Sequence, residues 1–342
     1  MSRFVGFDPD RHPDDGPETA VLLVNLGTPS APTGDAVAEY LAEFLSDPRV
    51  IEAPRVLWWP ILHGYILRTR PRRSAEAYAK IWRDDGSPLL VFSRQLAAAL
   101  GALLSRRTSG RVRTALAMTY GEPSAAAVAT ELMRQGVRRL LVLPLFPQYS
   151  ATSSGAALDA VLRVVQTLRA PPELRTINDY HANPGYIDAL ARSVQSHWAR
   201  NGRGDRLLLS FHGIPQKYAE SGDPYPDRCE ATARLLAGAL GLAGDELVVT
   251  FQSRLGRQPW LRPYTDAMVE QLARQDVESL DVLCPGFAVD CLETLEEVAL
   301  RYRAVFLTNG GRQFRYIPAL NAGNAHVQAL ADLAISSLAG WL

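Results

Sequence analysis

Short apolar runs stopped by turn residues alternate with segments of helical period along this chain. That is the pattern of strands buried on both faces of parallel sheets, with helices between them. Ala20–Leu26 is the first run and ends in Gly27-Thr-Pro29. A helix is predicted over Thr33–Phe44, capped near Thr33 and Asp35. Further helices are predicted over Ser74–Arg83, Gln95–Leu104 and Ala125–Gln135, with strands over Val112–Met118 and Leu140–Leu143. The polar loop Pro147–Gly155 leads into a helix over Ala156–Leu168. Ala170-Pro-Pro-Glu173 then breaks the pattern. Beyond it, strands are predicted over Ile177–Tyr180, Leu207–Phe211, Leu247–Phe251, Leu280–Leu283 and Val305–Leu307. Helices are predicted over Tyr186–Arg200, Cys229–Leu240 and Thr265–Gln275, with a last one from His326.

The two sides of the break resemble each other. Leu26-Gly-Thr-Pro29 matches His212-Gly-Ile-Pro215 in position and turn chemistry, and Leu140–Phe146 is similar to Leu280–Phe287. The expectation is an α/β protein of two similar halves, each a parallel sheet flanked by helices. The boundaries are a loose tail over 1–17, an N-terminal domain over 18–172 and a C-terminal domain over 173–342. A length of 342 residues and 47% apolar content suit two filled cores.

Charge and cysteine content narrow the class. The 36 basic and 36 acidic residues cancel, which gives no general attraction to nucleic acid or to anionic lipid. No apolar run reaches the ~20 residues that span a bilayer, and Met1–Asp10 lacks a signal-peptide core. Three cysteines, Cys229, Cys284 and Cys291, do not make a disulfide framework. They suit a reducing cytoplasm. No Gly-x-Gly-x-x-Gly or Walker A pattern follows a strand, which argues against a nucleotide site.

Two strand ends carry chemistry. Leu207-Leu-Leu-Ser-Phe-His-Gly-Ile-Pro215 puts His212 where a buried strand stops, and open α/β sheets bind ligands at that end. Val282-Leu-Cys-Pro-Gly-Phe-Ala-Val-Asp-Cys-Leu-Glu-Thr-Leu-Glu-Glu297 reads as strand, turn and acidic helix. Asp290, Glu293 and Glu297 fall on one face of that helix. Asp290 and Glu293 also fit a capping box, which would explain both without chemistry.

Together the two stretches resemble the ferrochelatase family, whose signatures are S-x-H-G-x-P and C-P-G-F-x-x-D-C-L-E-T-L-E-E. The resemblance runs from about Thr19 to about Asn324. It implies two Rossmann-like or flavodoxin-like domains of the class II chelatase type, and insertion of Fe(II) into protoporphyrin IX to form protohaem. The porphyrin and ferrous iron are then the partners. It also implies that His212 and Glu293 are the active-site pair and the metal-contacting residues, with Asp290 and Glu297 completing an acidic line. Where many relatives have a second histidine this chain has Cys291, and where many have an arginine before Tyr120 it has Thr119.

The resemblance points to Leu26, Tyr149, Trp260 and Phe287 for an apolar slot, although Leu26 and Phe287 also read as core. It points to Ser87, with Arg70 or Arg72, for the porphyrin carboxylates. No redox or nucleotide cofactor is needed. A [2Fe–2S] cluster is not expected, because it takes four ligands and the chain has three cysteines. His63, His181, His197 and His326 form no ligand-spaced cluster. Three alternatives stay open: another metal or tetrapyrrole such as coproporphyrin III, a haem carrier without turnover, and a sugar- or nucleotide-binding α/β protein, which the missing phosphate loop disfavours.

One segment stands apart. Pro54–Leu67 holds Trp58, Trp59, Ile61, Leu62 and Ile66, and is followed by Arg68, Arg70, Arg72 and Arg73. It reads either as a buried helix or as an apolar lip with a basic rim touching a membrane. The second reading makes the protein cytoplasmic and peripheral on the inner face of the membrane.

Overall fold

Among the residues described by the computed structural model (4–6, 17–254, 256 and 258–342), eight strands form two parallel sheets of four. Most of the expected loose tail lies outside the described residues. Val5 is an exception: its backbone pairs with Thr167 and Arg169.

The first sheet contains β1 (Thr19–Gly27), β2 (Val112–Tyr120), β3 (Arg139–Pro144) and β4 (Glu173–Thr176), in the order β2-β1-β3-β4. The second contains β5 (Arg206–His212), β6 (Leu247–Gln252), β7 (Ser279–Leu283) and β8 (Gln313–Ile317), in the order β6-β5-β7-β8. The order is the same in both, and so is a detail after the second strand. Met118 N donates to Pro123 O at 2.7 Å, and Phe251 N donates to Pro263 O at 2.9 Å. The expected likeness of the halves therefore extends to individual backbone bonds.

Continuous apolar runs form the central strands because both faces are covered. Ala20–Val24, Leu140–Leu143, Leu208, Leu209 and Phe211 have no exposed surface. Asp281 is the buried exception on β7. It accepts from Arg315 Nε at 2.7 Å, Trp198 Nε1 at 2.7 Å and Gly204 N at 2.8 Å, so its charge is paired and bonded.

The units do not divide at one point in the sequence. Residues 1–145, 151–179 and 327–342 make the first, and 146–150 with 180–326 make the second. The C-terminal segment belongs to the first unit because arginines of that sheet hold it. Arg139 Nη1 donates to Trp341 O at 3.0 Å, and Arg175 lies 4.1 Å over the Trp341 ring.

Three expectations need correction. The strand read at Ile177–Tyr180 lies earlier, at Glu173–Thr176; this edge strand is polar and carries no apolar signature. Val305–Leu307 is helical, within Arg303–Thr308, and Phe306 is buried there. A three-residue apolar run fits either state. The last strand is instead Gln313–Ile317, in which polar and apolar residues alternate. The helix Pro88–Arg107 is long and apolar enough to cross a membrane. However, Leu96, Leu100 and Leu104 are fully buried in the first unit, as in a core helix.

The segment Pro54–Leu67 is amphipathic. It forms a helix over Arg55–Ile61 and one wide turn with i→i+5 bonding over Leu62–Ile66. Leu62 and Ile66 pack with Leu45, and Trp58 Nε1 donates to Leu45 O at 2.7 Å. Val56, Leu57, Trp59, Ile61 and Tyr65 are exposed. One face of the segment is thus core and the other is exposed and apolar. Leu62 and Ile66 belong to the core, not to the lip.

Candidate active site

His212 is the last residue of β5, half-buried, and paired in register with Gln252 at the end of β6. Its Nδ1 lies 2.7 Å from Gly213 O. A carbonyl only accepts, so Nδ1 carries the proton. In the neutral ring Nε2 is then a lone-pair acceptor. The strand end is tightly built. A Cβ on Gly213 would meet Gln252 O at 2.9 Å and the Trp260 ring at 3.3 Å. Trp260 therefore lies directly against the turn after His212, held by backbone pairing with Pro215.

The acidic helix is a π-helix over Glu293–Tyr302. Such i→i+5 stretches are rare and collect at functional sites. Glu293 opens it and is half-buried. Burial, and then the neighbouring Glu293, pushes the Cys291 thiol well up, so it stays protonated. Glu297 is buried, and donors occupy both its oxygens. Ser253 Oγ donates at 2.5 Å, Tyr302 OH at 2.5 Å and Arg301 Nη2 at 2.9 Å. Burial, and then Glu297 itself, raises the Tyr302 phenol, so it remains a donor.

Asp290 is not the cap the sequence suggests. Its carboxylate accepts from Thr294 Oγ1 at 3.0 Å, Tyr316 OH at 2.5 Å, Ala319 N at 3.3 Å and Asn321 Nδ2 at 2.7 Å. None of these is a free amide of the helix's first turn. Asp290 ties the start of the π-helix to β8 and the segment after it. Asp290→Asn puts an amide NH2 against donors and leaves some of them buried and unpaired, at about 1–3 kcal/mol. The expected result is a lower melting temperature; an unchanged one would restore the capping reading.

The second unit brings His212, Trp260, Glu293 and Glu297 together through Gln252 and Ser253. Phe287 is half-buried against the core around Cys284 and Tyr302. Tyr149 is half-buried between anchored neighbours: Gln148 donates to Thr232, and Ser150 to Asp223. Leu26, Ser87 and Arg72 belong to the first unit. Leu26 packs beside Tyr40 and Tyr120. Ser87 is buried and accepts from Thr28 Oγ1 at 2.7 Å, whereas Arg72 is exposed.

Sequence reasoning missed Gln252, Ser253 and Tyr302. The strand-end rule that found His212 applies equally to Gln252 and Ser253, which follow the neighbouring strand. Among the described residues, His212 and Glu293 are the candidates whose donor atoms the fold leaves available to a divalent ion. Imidazole nitrogen with carboxylate oxygen suits Fe(II).

The family model described as Ferrochelatase matches residues 18–338. A ferrochelatase of Teredinibacter turnerae is 54% identical over 95% of this chain and 89% of its own length. One of Thioalkalivibrio sulfidiphilus is 51% identical over 99% of this chain and 92% of its own. Among solved structures, the sirohydrochlorin chelatase SirB of Bacillus subtilis subspecies spizizenii, in complex with cobalt, has a TM-score of 0.53 at 12% identity. That match covers 93% of this chain and 94% of SirB. CbiX, an enzyme of sirohaem biosynthesis, has a TM-score of 0.52 at 15% identity, covering 94% of this chain and 100% of CbiX. Those two likenesses concern the fold.

Proposed function

The chain belongs to the ferrochelatase family, and from that membership we propose how its own residues carry out the reaction. It is an enzyme that inserts iron into a porphyrin to make haem. One divalent ion enters as two pyrrole N–H protons leave, so charge balances without any redox step.

His212 Nε2 is the base that accepts a pyrrole proton, with a contribution of about 10²–10⁴-fold. The observation that carries this is the Nδ1 bond to Gly213 O, which leaves Nε2 as the acceptor. Glu293 takes the second proton; His212 and Glu293 contact the incoming ion first, and their lone pairs are free for the two pyrrole protons once the ion has passed to the porphyrin. Glu297, with donors on both oxygens, acts as a fixed negative charge beyond Glu293. Asp290 acts on position, since four donors occupy it. Trp260, beside the turn after His212, offers an aromatic face to the macrocycle, and we assign Phe287 and Tyr149 of the same unit to that role. No resident cofactor takes part, and three cysteines fall one short of the usual thiolates of an iron–sulfur cluster.

Protoporphyrin IX is the tetrapyrrole we assign. It carries two carboxylates against the four of coproporphyrin III, and of the carboxylate-binding candidates Ser87 is engaged inside the fold while Arg72 is exposed. Initial rates of anaerobic iron insertion into the two porphyrins test this. Faster insertion into protoporphyrin is expected; a higher kcat/KM for coproporphyrin reverses the assignment.

Peripheral attachment from the cytoplasmic side completes the reading. Its support is the exposed face of Val56, Leu57, Trp59, Ile61 and Tyr65, next to Arg68, Arg70, Arg72 and Arg73. Charging Leu57 and Trp59 together leaves the buried Leu62 and Ile66 in place. It should reduce co-sedimentation with anionic liposomes while the melting temperature holds. Undiminished co-sedimentation would remove the membrane contact.

A further inference from the structure

Gln252 touches both halves of the candidate site. It is 1% exposed and stands beside His212 in the β5–β6 register. Its backbone carbonyl accepts from Gly213 N at 2.8 Å, fixing the turn after His212. Its side-chain Nε2 donates to the main-chain carbonyl of Glu293 at 3.1 Å. That carbonyl only accepts, so the orientation of the amide is determined: nitrogen toward Glu293, oxygen inward.

The inward oxygen is held as well. Ser210 Oγ donates to Gln252 Oε1 at 2.5 Å. Thr265 Oγ1 lies 2.9 Å from Ser210 Oγ and 2.9 Å from Thr250 Oγ1, and Thr250 Oγ1 donates to Leu209 O at 3.0 Å. Ser210, Thr250 and Thr265 have no exposed surface. A buried chain of hydroxyls thus runs from β5 to the amide. A fully satisfied buried network of this kind fixes one arrangement of the groups it joins.

We propose that Gln252 is a positioning residue that sets the span between His212 and Glu293, and through that span the size of divalent ion the site passes to the porphyrin. The proposal rests on the His212–Glu293 reading above. Gln252 has no role as ligand or base, since an amide neither takes a proton nor binds Fe(II) well. It acts because one rigid side chain connects the strand end that carries His212 to the helix that carries Glu293.

The test compares wild type, His212→Ala, Gln252→Leu and Gln252→Glu in anaerobic insertion of Fe(II) and of the larger Mn(II). Gln252→Leu keeps bulk and loses the donor. Its kcat for Fe(II) is expected to fall about 10–100-fold, as for other groups that orient metal-contacting residues. The KM for porphyrin should hold, and the Fe(II)-to-Mn(II) rate ratio should change. Gln252→Glu restores a donor only when protonated, so its deficit relative to wild type should shrink as pH falls. This second variant decides the matter if Gln252→Leu does not fold. A merely structural role would lower both metals equally and show no pH-dependent recovery; either result overturns the proposal. If wild type turns over and His212→Ala does not, while Gln252→Leu matches wild type for both metals, the positioning role fails and the active-site reading stands. If wild type inserts no iron, both fail together.

Discussion

His212→Ala abolishes measurable turnover while porphyrin still binds. Removing the imidazole takes away the Nε2 acceptor and one contact to the ion in a single change. The expected fall in kcat is at least the ~10²–10⁴-fold of a lost general base. The fold should survive, because His212 is half-buried and its described bond is to the adjacent residue. Fluorescence quenching by porphyrin reports binding, and anaerobic absorbance reports insertion. Turnover within about tenfold of wild type would take His212 out of the mechanism.

Glu293→Gln is the second large effect, and it separates chemistry from architecture. Glutamine keeps the shape of the side chain and leaves the main-chain carbonyl that Gln252 holds untouched. It does not take up and release a proton near neutral pH. The melting temperature should therefore stay close to wild type while kcat falls by about 10²–10⁴-fold. Glu297→Gln should behave differently. An amide presents one acceptor oxygen where the carboxylate now satisfies Ser253, Tyr302 and Arg301. Stability should drop there along with rate. Near-normal rates for Glu293→Gln at saturating Fe(II) and porphyrin would leave the acidic helix without a catalytic role.

How much of this was legible in the sequence depended on local signal. The central strands announced themselves, since Ala20–Val24 is apolar throughout, Leu207–Phe211 is apolar but for Ser210, and both are buried. The edge strands did not. Glu173–Thr176 is polar, and Gln313–Ile317 alternates, so neither has a core signature. His212 was found because a strand end in an α/β sheet is a chemical position. Gln252 and Ser253 occupy the same kind of position yet carry no conspicuous functional group; their importance lies in the bonds they make to Glu293 and Glu297, which no local pattern reveals. The Asp290 capping box was a correct local inference overruled by tertiary partners. Tyr316 and Asn321, distant in sequence, donate to its carboxylate in place of the helix's own amides. The segment Pro54–Leu67 read as either core or lip; its amphipathic helix and wide turn give one face to the core and leave the other exposed.

Catalytic insertion, as opposed to binding, is the central claim, and anaerobic absorbance with protoporphyrin and Fe(II) in large excess over protein tests it most directly. The account predicts conversion of many equivalents of free-base porphyrin per chain in wild type, and none above background in His212→Ala. Conversion that stops at one equivalent per chain, or tight binding with no loss of the free-base spectrum, would contradict it.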